Sequence, residues 1–583
     1  MKKQSVSVRG VAIRMVLILA LSSVMAACAR PPLQPLRSPA PPAALLHYAD
    51  TILFNGKVIT VDKTFSIVEA VAIRDGRILA VGSNADIRAL EGPNTKKIDV
   101  KGKTVIPGLI DTHQHPEGAG ELKFVVNFDN AKTVADALAL IKEFAAKRKP
   151  GEWIRGSGWY ALSQLEEKRF LTRWEIDSVA PNNPVVLRQT GHDVMCNSYA
   201  FQLAKITKDT PDPPGGIIEK DPKTGEPNGI LHEAAQGLVG SLVPAFSFDE
   251  QEKMWKESMK YCNSLGLTSV VSGGFFPNSF KVYQHVWANH EMTMRASGAY
   301  RPVGEEQPSP DEWDKIINRI GCYSGFGDEW LSFSALKWFA DGGFRIAWTR
   351  EPHPDPAIGH GKSLIPSEYL NKVVAIANLY NWRVAVHVVG DAGIDQVLDA
   401  YEAADKEKSI VGKRWVLIHA CLMQPDQMER AKKLGIIVTL QDFMWIRAAS
   451  VEKDLGKRRA DRVSPARSII DKMGIESLSL GTDYSVNPMN PFICMYVFIT
   501  RKDPKGVVYG ADQAITREEA LRLYTSSAAF YTFEEHVKGS IEPGKLADLV
   551  VISDDILTCP EETIKDIKAV MTIVDGNIVY EAK

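Results

Sequence analysis

The chain is poor in histidine and carries no strong excess of either charge. Only 12 of its 583 residues are histidine, and the formal net charge is −2. No cluster of lysine and arginine is present, so nucleic acid is not an expected partner. The apolar and charged fractions are those of an ordinary globular protein, and a chain of this length is expected to form two or three domains.

CxxC pairs and membrane-spanning apolar runs are also missing. The seven cysteines lie at wide spacings, and a chain of this size does not need disulfides, so mostly buried free thiols are expected. The apolar run near the start, MVLILALSSVMAA, follows a basic segment and is too short to cross a bilayer as a helix. Residues 1–27 are therefore interpreted as a secretory signal peptide.

The signal peptide ends in VMAAC, which resembles a bacterial lipobox with Cys28 as the lipidated residue. A proline-rich stretch follows, and residues 28–49 are predicted to form an extended tether. An acylated cysteine anchors a chain to a membrane surface without spanning it. We therefore expect an extracytoplasmic protein, lipid-anchored to a bacterial membrane and facing the periplasm. A secreted protein without a lipid anchor is the alternative.

Both ends of the remaining chain have the pattern of short β-hairpins. Asn55-Gly56 and Asp75-Gly76 are two-residue turn signals between strand formers, and Asp575-Gly576 repeats the pattern near the C-terminus. Neither end can bury a core alone. Residues 50–104 and 537–583 are therefore predicted to combine into one small β-sandwich domain.

The central part, residues 105–536, alternates short apolar strands with helical stretches, which predicts an α/β fold with a parallel sheet. Eight such units favour a closed (β/α)₈ barrel of the TIM type, although periodicity alone also allows a helical bundle or a doubly wound sheet. About 150 residues separate the first two strands, so 117–250 is predicted to be an insertion domain above the active-site face. The predicted strands are 105–113, 267–273, 292–300, 331–339, 383–389, 415–421, 436–442 and 478–483.

The first of these strands, in VIPGLIDTHQHP, ends in two histidines one residue apart. Side chains at positions i and i+2 of a strand point to the same side, so His113 and His115 can reach one point at its C-terminal end. Asp111 has the same parity one step deeper and is expected to support the pair rather than bind an ion. The pair alone is also compatible with two polar residues in a loop.

Four later strands carry residues that suit the same site. His387 and His419 end two apolar runs, Asp483 follows a third, and Lys337 lies inside a fourth, where an unpaired ammonium group would be costly. Taken singly, these could be core histidines, a helix cap, and a lysine that reaches solvent or pairs with Asp341. Because the catalytic face of such a barrel is at the C-terminal strand ends, their convergence there favours a divalent-metal site.

These residues and several motifs resemble the amidohydrolase superfamily, and more narrowly the amidohydrolase family 3 group, which includes N-acyl and N-substituted formamide hydrolases. The resemblance runs from about residue 50 to the C-terminus through LKWFADGG, VHVVGDAG, GTDYSVNPMNPF, TGHDVMCNSYAF and GSIEPGKLADLVVI. It implies a metal-dependent hydrolase of a linear C–N bond in a small amide-type substrate. The implied ligands of one or two divalent ions, with zinc as the expected metal, are His113, His115, Lys337, His387, His419 and Asp483.

The resemblance also implies how these residues act. Lys337, as a carbamate formed with carbon dioxide, would bridge two ions, and His387 and His419 would hold the second. The ions would lower the pKa of a bound water. Asp483 would accept the proton of that water and pass one to the leaving nitrogen. His192, in the insertion, would help to hold the oxyanion or the substrate.

The sequence departs from the family pattern next to His419. The family usually has a glutamate before this histidine, and here the text is Ile418-His419-Ala420. A charged partner for the imidazole is therefore missing from the neighbouring position, which bears on the number and affinity of the metals.

The sequence does not determine the substrate or the oligomeric state, and it leaves three alternative functions open. The first is a mononuclear-metal deaminase of the same superfamily, which commonly carries a glutamate three residues after the strand 5 histidine and no strand 4 lysine. Here that position is Gly390, and Lys337 is present, so the hydrolase is favoured over the deaminase. The others are a cyclic amide hydrolase and a surface lipoprotein that only binds a ligand.

Overall fold

The computed structural model describes residues 48–157, 161–189, 193–213, 216–301 and 308–583. The predicted signal peptide, Cys28 and nearly all of the predicted tether lie outside the described residues, and so does His192. Among the helices of the described ranges, none is long and apolar enough to cross a membrane.

A parallel sheet of eight strands occupies the centre of the molecule. Each strand pairs with its neighbours in chain order, and the last returns to the first through side-chain and backbone contacts. This arrangement confirms the predicted α/β fold with a (β/α)₈ barrel. The strands are β1 (Leu109–Gln114), β2 (Leu267–Phe275), β3 (Arg295–Tyr300), β4 (Leu331–Phe339), β5 (Val384–Val388), β6 (Val416–His419), β7 (Ile437–Leu440) and β8 (Leu478–Leu480).

The first barrel strand begins later than its sequence predicts. The apolar run from Val105 continues into β1, but Thr104–Pro107 is a separate strand of another sheet, paired with Leu549–Ile552 from the C-terminal region. The barrel strand begins only at Leu109. Val105 and Ile106 of the first piece and Leu109 and Ile110 of the second are all buried and apolar, so the hydrophobic pattern does not mark the change of sheet.

Helices surround the barrel and bury one face against it. The helix Pro310–Ile320 shows how the sequence sets their limits, because Ser309 and Glu312 form a capping box at its start and Gly321, at φ +74°, ends it. The helices around the barrel are Phe248–Ser264, Pro277–Ala288, Pro310–Ile320, Ser367–Leu379, Asp391–Glu407, Pro425–Leu434, Met444–Leu455, Lys457–Ala460, Ala466–Met473, Pro491–Thr500, Arg517–Leu523 and Ser526–Tyr531.

The lower interior of the barrel is filled by small and branched apolar side chains. They come from successive strands, and Tyr531, at the end of the last helix, packs against them. The barrel is therefore a closed core beneath its C-terminal face and not a pore. The packed side chains are Val271, Ala299, Ala335, Ala385, Val416, Ile418, Ile437 and Tyr531.

Two smaller sheets lie beside the barrel and contain both ends of the described chain. One has the strand order Asn577–Glu581, Ala569–Val574, Leu549–Ile552, Thr104–Pro107, Lys57–Ile59, Ile67–Val68. The other has the order Arg77–Gly82, Ala70–Arg74, Thr51–Phe54, Lys96–Asp99, with the helix Asn84–Arg88 beside it. A buried ion pair ties this region to the barrel, since Arg295 of β3 contacts both carboxylate oxygens of Asp548 at 2.7 and 3.0 Å.

Between β1 and β2 the chain forms a sheet of its own with two separate apolar clusters. The strand order is Gly216–Lys220, Pro227–Glu233, Asp193–Cys196, Val185–Gln189, Ile154–Ser157, Val126–Asn127. The helices of this segment are Glu117–Glu121, Val134–Ala145, Ala161–Gln164, Arg173–Val179, Ser198–Ala204 and Gly237–Gly240.

Candidate metal centre

Two histidines and a carboxylate meet at the C-terminal end of the barrel, where β1 and β8 close it. Oδ1 of Asp483 lies 3.5 Å from Nε2 of His113 and 3.7 Å from Nε2 of His115. Their ligand atoms all lie within 4.8 Å of one another, close enough to share one ion. The Asp483 backbone N–H donates to the carbonyl oxygen of His113 at 2.7 Å, so the barrel closure itself positions the carboxylate.

The other predicted ligands border this group. Nζ of Lys337 is 3.4 Å from Nε2 of His113, and the His419 ring lies 5.2 Å from the His113 ring and 4.5 Å from the His387 ring, centroid to centroid. Lys337 does not use Asp341, whose carboxylate instead accepts backbone N–H groups in the loops after β4 and β5. The structure therefore brings all six predicted metal-ligand residues to one place.

Burial keeps these imidazoles neutral. It lowers the pKa of His387 to about 3, with the Lys337 ammonium adding to the effect. The same cause places the pKa of His113 well below its ordinary value. The His115 side chain is 46% exposed, so burial acts on it less. Neutral imidazole is the form that binds a metal ion.

Two of these residues reach the site through unusual backbone conformations. Ile418 points into the barrel, so regular alternation along β6 would turn His419 outward. Instead His419 has φ +76° and Ala420 has φ +41°, and the strand stops alternating at this point. Asp483 has φ +53° after the end of β8. Such conformations cost free energy in non-glycine residues and cluster at functional sites.

Asp111 supports the site from below. Its carboxylate accepts hydrogen bonds from the Thr482 hydroxyl at 2.7 Å and from the backbone N–H groups of Thr482 and His113. These contacts hold the start of the β8 loop against β1. Gly481 lies beside them, and a side chain there would collide with the backbone N of His113, because a Cβ would sit 2.5 Å from it.

The partner of His419 comes from the next strand and not from its own. Nδ1 of His419 is 2.6 Å from Oε1 of Gln441, just after the end of β7, and both residues are buried. The side chain next to Nδ1 of His419 is therefore a neutral amide, and Ile418 supplies no polar partner. Sequence reasoning did not find Gln441, although its place at the end of an apolar strand was a usable signal.

An aromatic wall with a guanidinium group borders the site and was also missed. The Phe339 ring lies 5.0 Å from the His387 ring, and the Arg301 guanidinium carbon lies 5.0 Å from the ring centres of both Phe339 and Phe276. These residues follow β2 and β3 or end β4, so they share the face that carries the candidate ligands.

The donor set fits a divalent ion. Imidazole nitrogens and a carboxylate oxygen are the ligands that zinc and similar metals prefer. Within the described residues, Nε2 of His387 is buried and has no hydrogen-bond partner. A buried polar atom without a partner is costly, and a coordinated ion would satisfy it.

Comparison with known proteins agrees with this geometry. The putative amidohydrolase YtcJ of Bacillus subtilis (strain 168) is 30% identical over 548 residues, which cover 91% of this chain and 99% of YtcJ. The N-substituted formamide deformylase of Arthrobacter pascens is 30% identical over 549 residues, covering 91% of this chain and 98% of that protein.

A solved structure shares the fold. The uncharacterized metal-dependent hydrolase from Pyrococcus horikoshii OT3 superposes with a TM-score of 0.70 at 22% identity, covering 88% of this chain and 99% of that one. The model described as "Amidohydrolase family" matches residues 96–580, which include every strand of the barrel and every candidate ligand. The chain belongs to the amidohydrolase family.

Proposed function

We propose that this protein is a metal-dependent hydrolase of a linear, non-peptide C–N bond in an amide, a formamide or an N-acyl amine. The observation that carries the proposal is the convergence of four buried or half-buried imidazoles, a carboxylate and a lysine at the C-terminal face of the barrel. The 30% identity to a formamide deformylase over nearly the whole chain supports the same reaction class.

In the reaction, the oxygen of water bonds to the carbonyl carbon, the C–N bond breaks, and the leaving nitrogen takes a proton. Burial raises the pKa of the Asp483 carboxyl group above its usual range, against the opposing effect of the Lys337 ammonium, and this suits the group to accept and then release a proton. Asp483 is therefore assigned the transfer of the proton from water to nitrogen. A divalent ion held by these side chains would lower the pKa of the attacking water and polarise the carbonyl group.

Zinc is the proposed metal, held as one or two ions by the six predicted ligands. Lys337 is proposed to carry a carbamate, formed when its uncharged amine adds to carbon dioxide. Burial lowers the pKa of Lys337 below its usual range, which favours the uncharged amine that reacts with carbon dioxide. His192 is proposed to assist in oxyanion or substrate binding.

The test combines metal analysis with activity. The purified protein is assayed against N-formyl amines and N-acyl amino acids before and after chelation, and zinc is measured per chain. Hydrolysis that is lost on chelation and restored by zinc supports the proposal. Release of ammonia from aminated rings instead would indicate a deaminase, and metal-free protein that binds but does not cleave would indicate a binding protein.

A matched pair of histidine variants separates the site from general effects of losing a buried ring. His387→Gln removes a proposed ligand and should lower both the bound metal and the activity. His353→Gln removes another buried histidine, whose ring nitrogens contact the backbone oxygens of Ala347 and Asp454 outside the site. The second variant should keep both, and equal loss in both variants would contradict the assignment.

We also propose that the protein is lipid-anchored through Cys28 on the periplasmic side of a bacterial membrane. The lipobox-like VMAAC and the proline-rich segment after it support this proposal. Cys28→Ala should move the protein from the membrane fraction to the soluble extracytoplasmic fraction. Unchanged membrane association of the variant would contradict it.

A further inference from the structure

A line of buried side chains connects the His419 imidazole to the barrel wall where β7, β8 and β1 meet. Nδ1 of His419 contacts Oε1 of Gln441 at 2.6 Å, and Nε2 of Gln441 donates to the Thr439 hydroxyl at 3.2 Å. The Thr439 hydroxyl lies 2.8 Å from the Thr112 hydroxyl, which in turn lies 2.8 Å from the backbone oxygen of Leu480. His419, Gln441, Thr439 and Thr112 are all buried.

The direction of every hydrogen bond along this line follows from the oxygen at its far end. The Leu480 carbonyl can only accept, so the single hydroxyl proton of Thr112 points to it. Thr112 has a second possible acceptor in the Ser479 hydroxyl, which lies 3.0 Å away, and donating to it would also use the single hydroxyl proton of Thr112. In both cases Thr112 cannot donate to Thr439. Thr439 must therefore donate to Thr112.

This direction sets the orientation of the Gln441 amide. With its proton committed to Thr112, the Thr439 hydroxyl offers only lone pairs toward Gln441, so the amide NH₂ must face it. If the amide were flipped, the carbonyl oxygen of Gln441 would face the lone pairs of the Thr439 hydroxyl, and two acceptors would lie against each other. The carbonyl oxygen of Gln441 is thereby turned to His419, and it can only accept a proton from Nδ1.

We propose that Gln441 is a positioning residue that fixes the tautomer of His419, with the proton on Nδ1 and the lone pair on Nε2 directed into the candidate metal centre. The inference rests on the proposed function, since binding an ion is the use of that lone pair. An amide from the adjacent strand thus supplies the polar partner that Ile418 does not. Thr439 and Thr112 act one step further away by holding the amide in one orientation.

The proposal predicts effects on the metal-free protein as well as on metal binding. Partners that orient a ligating histidine typically change metal affinity by about 10–100-fold when they are removed. Gln441→Leu removes the acceptor and should weaken zinc binding by this factor. Thr439→Val keeps the shape of the side chain but removes the hydroxyl, so the amide can flip and a smaller loss is expected.

The experiment uses protein labelled with ¹⁵N in the histidine rings, with the tautomer read from ring ¹⁵N chemical shifts in the absence of metal. The wild-type His419 signal should show the proton on Nδ1, and it should shift in Gln441→Leu and become mixed in Thr439→Val. Signals of histidines whose Nδ1 faces a backbone oxygen elsewhere, such as His353 and His360, should not change. Gln441→Glu retains an acceptor oxygen and should restore the wild-type tautomer. Zinc affinity is measured on the same proteins by chelator competition.

Gln427→Leu is the matched control. Gln427 is a buried glutamine on the helix Pro425–Leu434, where it donates to the backbone oxygen of Asp391 and to the carboxylate of Asp395, away from the candidate site. This variant should leave both the tautomer and the zinc affinity unchanged. It therefore separates loss of a buried amide from loss of the His419 partner.

An unchanged tautomer and unchanged zinc affinity in both Gln441→Leu and Thr439→Val would overturn the inference. If Gln441→Leu does not fold, Thr439→Val and Gln441→Glu still decide between the two outcomes. The two proposals can also fail separately. If the wild-type protein binds no zinc while the His419 tautomer changes as expected in Gln441→Leu and Thr439→Val, the proposed function is refuted and the role of Gln441 is supported.

Discussion

Gly273, near the end of β2, is the position where one added methyl group should damage the candidate metal centre most directly. An alanine Cβ there would lie 2.7 Å from Cε1 of both His113 and His115 and 2.9 Å from Nε2 of His115. Carbon atoms in contact are normally about 3.5–4.0 Å apart, so the rings must move by about 1 Å. A functional site needs its groups held within about 0.5 Å, so ion geometry cannot survive this shift.

The size of the effect follows from the cost of overpacking. An extra methyl group in a packed core costs about 1–3 kcal/mol, and each 1.4 kcal/mol corresponds to a factor of ten in affinity. If the His113 and His115 rings can avoid the added methyl group only by moving away from the ion, Gly273→Ala weakens zinc binding by about 10–100-fold. Chelator competition measures the affinity, and activity at saturating zinc shows whether the displaced rings still support hydrolysis.

The neighbouring glycine provides the control. An alanine Cβ at Gly274 would meet Cδ of Arg301 at 3.1 Å, the stem of a flexible side chain, and it approaches none of the candidate ligands. Gly274→Ala should therefore keep the zinc affinity within about threefold of wild type, well below the one to two decades expected at Gly273. Wild-type affinity in Gly273→Ala, or equal losses in both variants, would refute the argument.

Three further predictions concern other parts of the molecule. If a carbamate on Lys337 bridges two zinc ions, Lys337→Ala should reduce bound zinc from two ions to one and abolish hydrolysis. Full activity of this variant would indicate a mononuclear site. Asp548→Ala removes the closer carboxylate of the buried Arg295 guanidinium and leaves it only Asp575 at 3.4 Å, so it should lower the free energy of unfolding by about 3–5 kcal/mol in urea titrations, whereas a change below about 1 kcal/mol would contradict this. Among the six described cysteines, only Cys322 and Cys559 are partly exposed, so a thiol reagent should modify these two in the native protein before the buried four.

The sequence predicted the barrel and its catalytic face because most strands contain a short apolar run and several of these runs end in a polar residue that is hard to bury. His387 and Asp483 stand out for this reason, and the resemblance to known hydrolases connects them. The start of β1 was predicted too early, since Val105 and Leu109 belong to different sheets but are equally apolar. Strand pairing joins residues that are far apart in the chain, and the hydrophobic period within one segment does not show which strand it pairs with.

The contacts around His419 show what the sequence could not predict. Alternation from Ile418 places the imidazole outside the barrel, and only the left-handed backbone at His419 and Ala420 turns it inward. Gln441 is one of many polar residues at strand ends, and its function depends on the orientation of one amide group. Such details are set by packing across neighbouring strands and not by local patterns.

The hydrogen bond between the Asp483 backbone and His113 also bears on how the protein is made. The first and last barrel strands are separated by more than 350 residues, including the whole segment between β1 and β2. During synthesis the two histidines of β1 emerge long before the carboxylate that completes their group. The three proposed ligands His113, His115 and Asp483 can therefore come together only after the barrel has closed. If a divalent ion binds this group, it can be bound only late in biosynthesis, after the first and last strands of the barrel have met.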